Sequence, residues 1–227
     1  MNCVINGFWR YIYYGSKEIS KSLPALVAII AVGLNGLLTK LRKEVEEALT
    51  LLAKFLHGLG LNPFSLSLLG LICAFLSGIL YYELAMQPWA FWVAPIFLLL
   101  SGLFDAVDGA MARVYGQVTR FGGVIDSVFD RIGEVFVYSG IILGGLSSLF
   151  WGLVALVASL MVSYVRSRAE VEGAKMEGVG IAERPERIVI LAVATFIRQI
   201  ELGLIVISCL ATLTLFHRVW RARVELP

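Results

Sequence analysis

Charged residues are scarce in this sequence, since Asp, Glu, Lys and Arg make up 16% of its 227 positions. An ordinary soluble domain has about 25%. The shortage excludes a disordered chain and a soluble nucleic-acid-binding protein, because both depend on many charges in contact with water. Hydrophobic residues reach 59%, and a soluble globule of this size cannot hide so much apolar surface. The composition therefore predicts an all-α, polytopic membrane protein.

Cysteine is also scarce. The three cysteines are Cys3, Cys73 and Cys209, and two of them lie in apolar runs. An odd number in such surroundings excludes a secreted disulfide scaffold and argues against a zinc cluster. We interpret them as small buried hydrophobic residues.

Six apolar runs approach the roughly 20 residues that a helix needs to cross a bilayer. They lie at about 62–82, 89–110, 122–145, 147–165, 187–200 and 202–217. The fifth and sixth are short and are separated only around Arg198, Gln199 and Glu201. The sequence therefore predicts six transmembrane helices.

The net charge is only +2, so the electrostatic information lies in where the charges sit. Lys and Arg precede the first predicted span and fill the second connection, the fourth connection and the C-terminal tail. The first and third connections, 82–88 and 144–148, contain neither residue. Because basic residues favour the cytoplasmic side, we expect a multi-pass protein of the cell membrane with both termini in the cytoplasm.

Residues 40–61 have a different pattern, in which apolar residues recur every three or four positions. This spacing predicts an amphipathic helix that lies in the membrane interface before the first span. The alternative is a helix that faces water and packs on a partner. We divide the rest into a six-helix domain at 62–217 and a basic cytoplasmic tail at 218–227.

Residues 1–39 are interpreted as an N-terminal extension of uncertain role. Their uncharged run, 23–38, is shorter than a typical span. A span here would also place Arg10, Lys17 and Lys21 outside, against the charge rule. A signal-like segment and a start site assigned too early are the alternatives.

Four aspartates carry the clearest functional signal. Asp105 and Asp108 lie where the second apolar run ends, and Asp126 and Asp130 lie near the start of the third. Spacings of three and four residues put each pair on one helix face, and the short connection allows two antiparallel helices to bring all four together. Carboxylates in apolar helices are costly and mark function by default. Clustered oxygen ligands select hard divalent cations, and two such ions would balance four charges and suit phosphoryl transfer.

The residues between the aspartates favour a phosphate ligand. Gly109 removes a side chain beside Asp108, and Arg113 supplies a forked donor. Gly122 and Gly123 allow the third helix to approach a neighbour or ligand closely. The full string is Asp-x2-Asp-Gly-x2-Ala-Arg-x8-Gly-x3-Asp-x3-Asp.

This string resembles the signature of the CDP-alcohol phosphotransferases, and the resemblance covers about residues 55–220. Every specified position matches: Asp105, Asp108, Gly109, Ala112, Arg113, Gly122, Asp126 and Asp130. The resemblance implies an enzyme of phospholipid biosynthesis that moves a phosphatidyl-type group from a CDP-linked lipid to an alcohol and releases CMP. It also implies a homodimer.

The resemblance further implies roles for the four aspartates. Asp105, Asp108 and Asp126 would hold one metal ion, and Asp105, Asp126 and Asp130 the second. Asp130 would also take the proton of the acceptor hydroxyl. The ions would be Mg²⁺, with Mn²⁺ as the alternative.

The same resemblance assigns seven residues to the CDP-linked lipid: Asn62, Ser67, Gly109, Ala112, Arg113, Thr119 and Gly122. The segment that opens the first span departs from the family pattern at Phe64 and Ser67. For Asn62 and Ser67 the alternative is an ordinary helix start with proline in the first turn.

Arginines near the fourth connection bear on the acceptor alcohol. Arg166, Arg168, Arg184 and Arg187 are interpreted as a site for an acceptor that carries phosphate. The pattern resembles the inositol-phosphate branch of the family, which makes inositol-1-phosphate the preferred acceptor and glycerol-3-phosphate the alternative. Snorkelling arginines that fix topology are the simpler explanation. The rival classes are a divalent-cation transporter and a non-catalytic membrane scaffold.

Overall fold

The computed structural model describes residues 44–84, 87, 89–176 and 178–226, and these residues form an all-helical structure. Helix α1 covers residues 44–58. The other helices are α2 (Pro63–Glu83), α3 (Ala90–Val114), α4 (Arg120–Leu143), α5 (Leu149–Val171), α6 (Arg184–Phe196) and α7 (Ile200–Glu225). From Leu52 onward they belong to one compact unit. The predicted extension, 1–39, lies outside the described residues.

Helix starts follow from local sequence. The Asn62 side chain accepts a hydrogen bond from the Ser65 backbone N–H, and Pro63 occupies the first turn of α2. Thr119 caps α4 in the same way through the Gly122 N–H. These oxygens satisfy N–H groups that have no partner within the helix.

Four of the described helices, α2, α3, α5 and α7, are long and apolar enough to cross a membrane. Helix α6 has 13 residues and extends about 20 Å, which is less than the bilayer core of about 30 Å. Helix α4 is long enough, but five charged residues lie in its first 15 positions: Arg120, Asp126, Asp130, Arg131 and Glu134. The predicted count of six spans therefore stays a prediction.

Two predicted boundaries can be compared with the helices. Helix α7 runs to Glu225, so most of the segment predicted as a tail, 218–227, continues that helix. The described part of the predicted amphipathic segment is helical through residue 58, and Val45 and Phe55 of its apolar face are exposed. Its placement in the membrane interface stays a prediction.

Helix α2 packs against α3 and α4, whereas α5 packs against α7, and α6 contacts both α3 and α7. The crossing of α2 and α4 is made close by glycine. A Cβ atom at Gly78 would lie 2.7 Å from the Phe136 carbonyl oxygen, and one at Gly140 would overlap the Gly78 carbonyl. This close crossing holds α4, which carries two of the aspartates, against the bundle.

We expect Gly78→Ala to lower the melting temperature of the purified protein in detergent, because the added methyl group would overlap the Phe136 carbonyl group. Overpacking of this kind costs about 1–3 kcal/mol. The control is Gly58→Ala, because Gly58 is exposed and a Cβ atom added there would have no other group within 4 Å. Equal melting temperatures for the wild type and Gly78→Ala would show that the α2–α4 crossing tolerates a side chain.

Candidate active site

The four aspartates lie on α3 and α4, as their spacing predicts. One carboxylate oxygen each from Asp105, Asp108 and Asp126 lies within 4.8 Å of the other two. Asp108 is the most buried, with 5% of its surface exposed. Three converging carboxylates form a hard, anionic oxygen donor set, which fits a divalent metal ion.

Asp130 is connected to this group by Arg184, the first residue of α6. Arg184 Nη1 lies 2.9 Å from Asp105 Oδ2 and 2.5 Å from Asp130 Oδ1. These are charge contacts rather than aligned hydrogen bonds, and the Arg184 Nε is buried without a hydrogen-bond partner among the described residues. The fixed positive charge offsets the repulsion between two carboxylates that face the same site.

Ser67 on α2 contacts the cluster from another helix. Its hydroxyl lies 2.5 Å from Asp108 Oδ2 and 3.1 Å from the Pro63 carbonyl oxygen. A hydrogen bond from Ser67 to Asp108 fixes the orientation of that carboxylate, as outer hydrogen bonds commonly do for metal ligands.

A groove of about 620 Å³ borders Asp108 and Asp126. All seven residues predicted to contact the CDP-linked lipid line this groove: Asn62, Ser67, Gly109, Ala112, Arg113, Thr119 and Gly122. The side-chain oxygens of Asn62 and Thr119 also cap helices, so the helix-start interpretation of Asn62 holds as well. A Cβ at Gly109 would lie 3.3 Å from Arg113 Nη1, so the glycine leaves room for the guanidinium.

A second, polar cavity of about 160 Å³ borders Asp105 and Asp130. The carboxylate cluster therefore lies between the groove and this cavity. Glu134 and Glu183 line this cavity together with five arginines: Arg131, Arg166, Arg184, Arg187 and Arg218. Among the described residues, this is where the basic side chains converge on the site.

Three of the four arginines predicted to bind the acceptor phosphate reach this cavity, and Arg168 does not. Arg168 forms an ion pair with Glu172, which caps the C-terminal end of the same helix, and the Arg168 side chain is 58% exposed. Arg166 and Arg168 are two positions apart on α5, and such residues face different directions. The spacing in the sequence therefore indicates that Arg166 and Arg168 do not share one binding site.

The buried arginines are largely committed to other partners. Arg187 donates to the Ala182 carbonyl at 3.0 Å and pairs with Glu134 at 2.5 Å, leaving only its Nε without a partner. Arg218, which sequence reasoning placed in the tail, is 2% exposed and uses three nitrogens for protein contacts. Arg131, also missed, donates to the Ser127 carbonyl and lies 3.6 Å from Asp130.

The match to a known family covers most of the chain. Residues 61–220 match the CDP-alcohol phosphatidyltransferase family, and the chain belongs to it. It is a phosphotransferase enzyme of phospholipid biosynthesis, and its apolar helices make it a membrane protein.

One relative is the archaetidylinositol phosphate synthase of Pyrococcus horikoshii, which is 36% identical over 190 residues, or 84% of this chain and 98% of that protein. The fold is similar to a structure of Mycobacterium tuberculosis phosphatidylinositol phosphate synthase with CDP-DAG bound, with 26% identity, a TM-score of 0.66, and coverage of 77% of this chain and 92% of the other. A second structure of that protein, in complex with manganese and citrate, has the same identity and TM-score and is covered over 88% of its length.

We predict that divalent metal raises the melting temperature of the wild type and that Asp108→Asn reduces this shift, because a buried ligand is lost. The measurement is thermal unfolding after metal removal, with and without added Mg²⁺ or Mn²⁺. Glu172→Gln is the control, because Glu172 pairs only with the exposed Arg168 in the described contacts. An unchanged metal-induced shift in Asp108→Asn would contradict the assignment.

Proposed function

We propose that this enzyme transfers a phosphatidyl-type group from a CDP-linked lipid, CDP-diacylglycerol or CDP-archaeol, to inositol-1-phosphate and releases CMP. The observation that carries the proposal is the position of the carboxylate cluster between a lipid-sized groove and an arginine-lined cavity. Relatives named as archaetidylinositol and phosphatidylinositol phosphate synthases support the same acceptor.

The groove is the proposed donor site. Apolar residues line part of it, including Phe64, Val118 and Phe121, which suits the lipid portion. Arg113 is the proposed partner of the diphosphate, because a guanidinium forms paired hydrogen bonds to phosphate oxygens. Gly109 and Gly122 allow the diphosphate to approach the backbone.

The carboxylates are the proposed metal ligands, with Asp105, Asp108 and Asp126 for one ion and Asp105, Asp126 and Asp130 for a second. We propose Mg²⁺ at both, with Mn²⁺ as an alternative. When bound, such ions would neutralise phosphate charge and stabilise the leaving phosphate of CMP.

Asp130 is the proposed general base. It borders the arginine-lined cavity, so its carboxylate is available to an acceptor held there. Asp130 takes the acceptor hydroxyl proton while that oxygen bonds to the lipid-linked phosphorus. The bond between this phosphorus and the bridging oxygen breaks, and CMP leaves with that oxygen.

The contacts support Arg166 and Arg184 as the acceptor-phosphate ligands more than Arg168 or Arg187. Arg166 is partly exposed at the cavity, where it pairs with Glu170 and Glu183. Within the described part of the chain, Arg184 has two buried nitrogens without a hydrogen-bond partner, Nε and Nη1, whereas Arg187 has one. Buried donors without partners are uncommon, and phosphate oxygens would satisfy those of Arg184. Glycerol-3-phosphate presents the same phosphate and is the comparison acceptor.

The membrane arrangement is also proposed. Helices α4 and α6 would complete a six-helix domain at 62–217, preceded by an interfacial helix at 40–61 and followed by a basic end at 218–227. The active site and both termini would face the cytoplasm, in agreement with the distribution of basic residues. Two copies would form a homodimer.

We expect Asp130→Asn to reduce turnover by about 10²–10⁴-fold, because an amide cannot accept the proton. The measurement is CMP release from a CDP-linked lipid with inositol-1-phosphate. Metal-induced thermal stabilisation, carried partly by Asp105, Asp108 and Asp126, is the control for an intact site. Turnover near the wild-type value would remove Asp130 from the role of base.

The arginine assignment predicts a specific change in acceptor use. Arg166→Ala or Arg184→Ala should raise the acceptor KM by roughly 10- to 100-fold, as loss of a charged hydrogen bond implies. The KM for the CDP-linked lipid should change much less. Arg184 also contacts Asp105 and Asp130, so its variant should lose turnover as well.

Arg168→Ala is the matched control, because it removes the same charge from the same helix as Arg166→Ala. It should leave both KM values near those of the wild type. Equal use of inositol-1-phosphate and free inositol by the wild type would contradict a phosphate-binding cavity.

A further inference from the structure

Helix α7 holds the connection between α5 and α6 through a buried hydroxyl. Thr214 Oγ1 accepts hydrogen bonds from two consecutive backbone N–H groups, Ile181 at 3.1 Å and Ala182 at 3.2 Å. Thr214 is fully buried, with 0% of its surface exposed. One side-chain oxygen therefore satisfies two backbone donors that would otherwise lack partners next to α7.

Arg218, one turn further along α7, holds the same connection. Its Nε donates to the Val179 carbonyl at 2.6 Å, and its Nη2 contacts Glu183 at 2.9 Å. Its Nη1 donates to the Val162 carbonyl on α5 at 2.8 Å. The guanidinium thus joins α5, α7 and the segment that leads into α6.

Gly180 allows the backbone to come this close to α7. A Cβ at this position would lie 2.9 Å from Thr214 Cγ2, and the residue has a φ of 156°. From α6, Arg187 donates to the Ala182 carbonyl at 3.0 Å. Residues 179–183 are therefore held by side chains from two helices.

The held segment ends at the active site. Glu183 precedes α6 and lines the polar cavity, and Arg184 begins α6 and contacts Asp105 and Asp130. Thr214 itself lines neither the groove nor the polar cavity. Its two hydrogen bonds lie two and three residues before Arg184.

We propose that Thr214 is a positioning residue for the acceptor cavity, acting through Ile181 and Ala182 on the placement of Glu183 and Arg184. The proposal rests on the proposed function in that the cavity receives a phosphorylated alcohol. Thr214 is a better site than Arg218 for testing this role. Arg218 lines the cavity, so replacing it would also change the cavity wall, whereas Thr214 does not line the cavity. A displacement of about 1 Å can cost as much as 10²-fold in rate.

The test compares Thr214→Val, which keeps the shape and removes the oxygen, with Thr214→Ser, which restores the oxygen. We expect Thr214→Val to raise the acceptor KM by about 10-fold, at the lower end of the change expected for removing Arg184, while the KM for the CDP-linked lipid changes by less than about 3-fold. Thr214→Ser should return the acceptor KM to near the wild-type value. A purely stabilising role would instead lower the active fraction and leave both KM values unchanged.

Ser208→Ala is the matched control. Ser208 is a buried hydroxyl on the same helix, and its partner is the Trp151 carbonyl on α5 rather than the connection to α6. This variant should leave both KM values unchanged. An acceptor-specific rise in Ser208→Ala as large as that in Thr214→Val would overturn the proposal.

Hydrogen exchange at the Ile181 and Ala182 amides provides a readout that needs no substrate. Both amides should exchange faster in Thr214→Val than in the wild type and Thr214→Ser. If Thr214→Val does not fold, Gly180→Ala displaces the same segment and should give the same KM change and faster exchange. Unchanged exchange, or KM values that rise equally for both substrates, would overturn the proposal.

The wild-type acceptor panel separates this inference from the proposed function. If the wild type prefers another phosphorylated alcohol, inositol-1-phosphate is the wrong acceptor, and the KM comparison is made with the preferred one. If it uses only unphosphorylated alcohols, the phosphate-binding cavity is wrong and the positioning proposal fails with it. The exchange data then still report whether Thr214 holds the segment.

Discussion

Repulsion among four carboxylates in an apolar helix bundle is the constraint on which the rest of this structure depends. Three of them converge within 4.8 Å of one another, and the fourth is joined to them through Arg184. Such a cluster is costly unless positive charge stands beside it. Arg184 at the start of α6 supplies one such charge. The carboxylate oxygens fit divalent metal ions, which would balance the remaining negative charge.

The cluster also divides the site in two. Asp108 and Asp126 border a groove with apolar and glycine-containing walls, whereas Asp105 and Asp130 border a cavity lined by arginines. A phosphotransferase needs the attacking hydroxyl oxygen and the leaving oxygen on opposite sides of the reacting phosphorus, in line with each other. Carboxylates shared by two differently lined spaces fit the proposed arrangement, in which the donor binds in the groove and the acceptor in the cavity.

The arginines of the cavity serve different purposes. Arg187 and Arg218 are buried and spend most of their donors on backbone carbonyls and glutamates. These contacts join α4, α5, α6 and α7 beside the cavity. Arg166 is partly exposed at the cavity, and Arg184 has two buried nitrogens without a hydrogen-bond partner among the residues that the structure describes. The proposed acceptor site therefore uses fewer residues than the number of nearby arginines indicates.

The sequence by itself determined that Asp105 and Asp108 share one helix face and that Asp126 and Asp130 share a face of the next helix, because helix periodicity fixes such relations locally. The seven predicted groove residues belong to three helices, α2, α3 and α4, or cap their starts, and the family resemblance rather than helix spacing pointed to them. Helix spacing separates Arg166 from Arg168, but only the tertiary structure decided which arginines line the cavity. Arg218 lines the cavity from α7, and Thr214 on the same helix holds the connection that leads to Arg184. Both lie more than 80 residues beyond Asp130 along the chain and outside any local pattern. Long side chains take their partners from whichever helices pack nearby, and that packing is a property of the whole bundle.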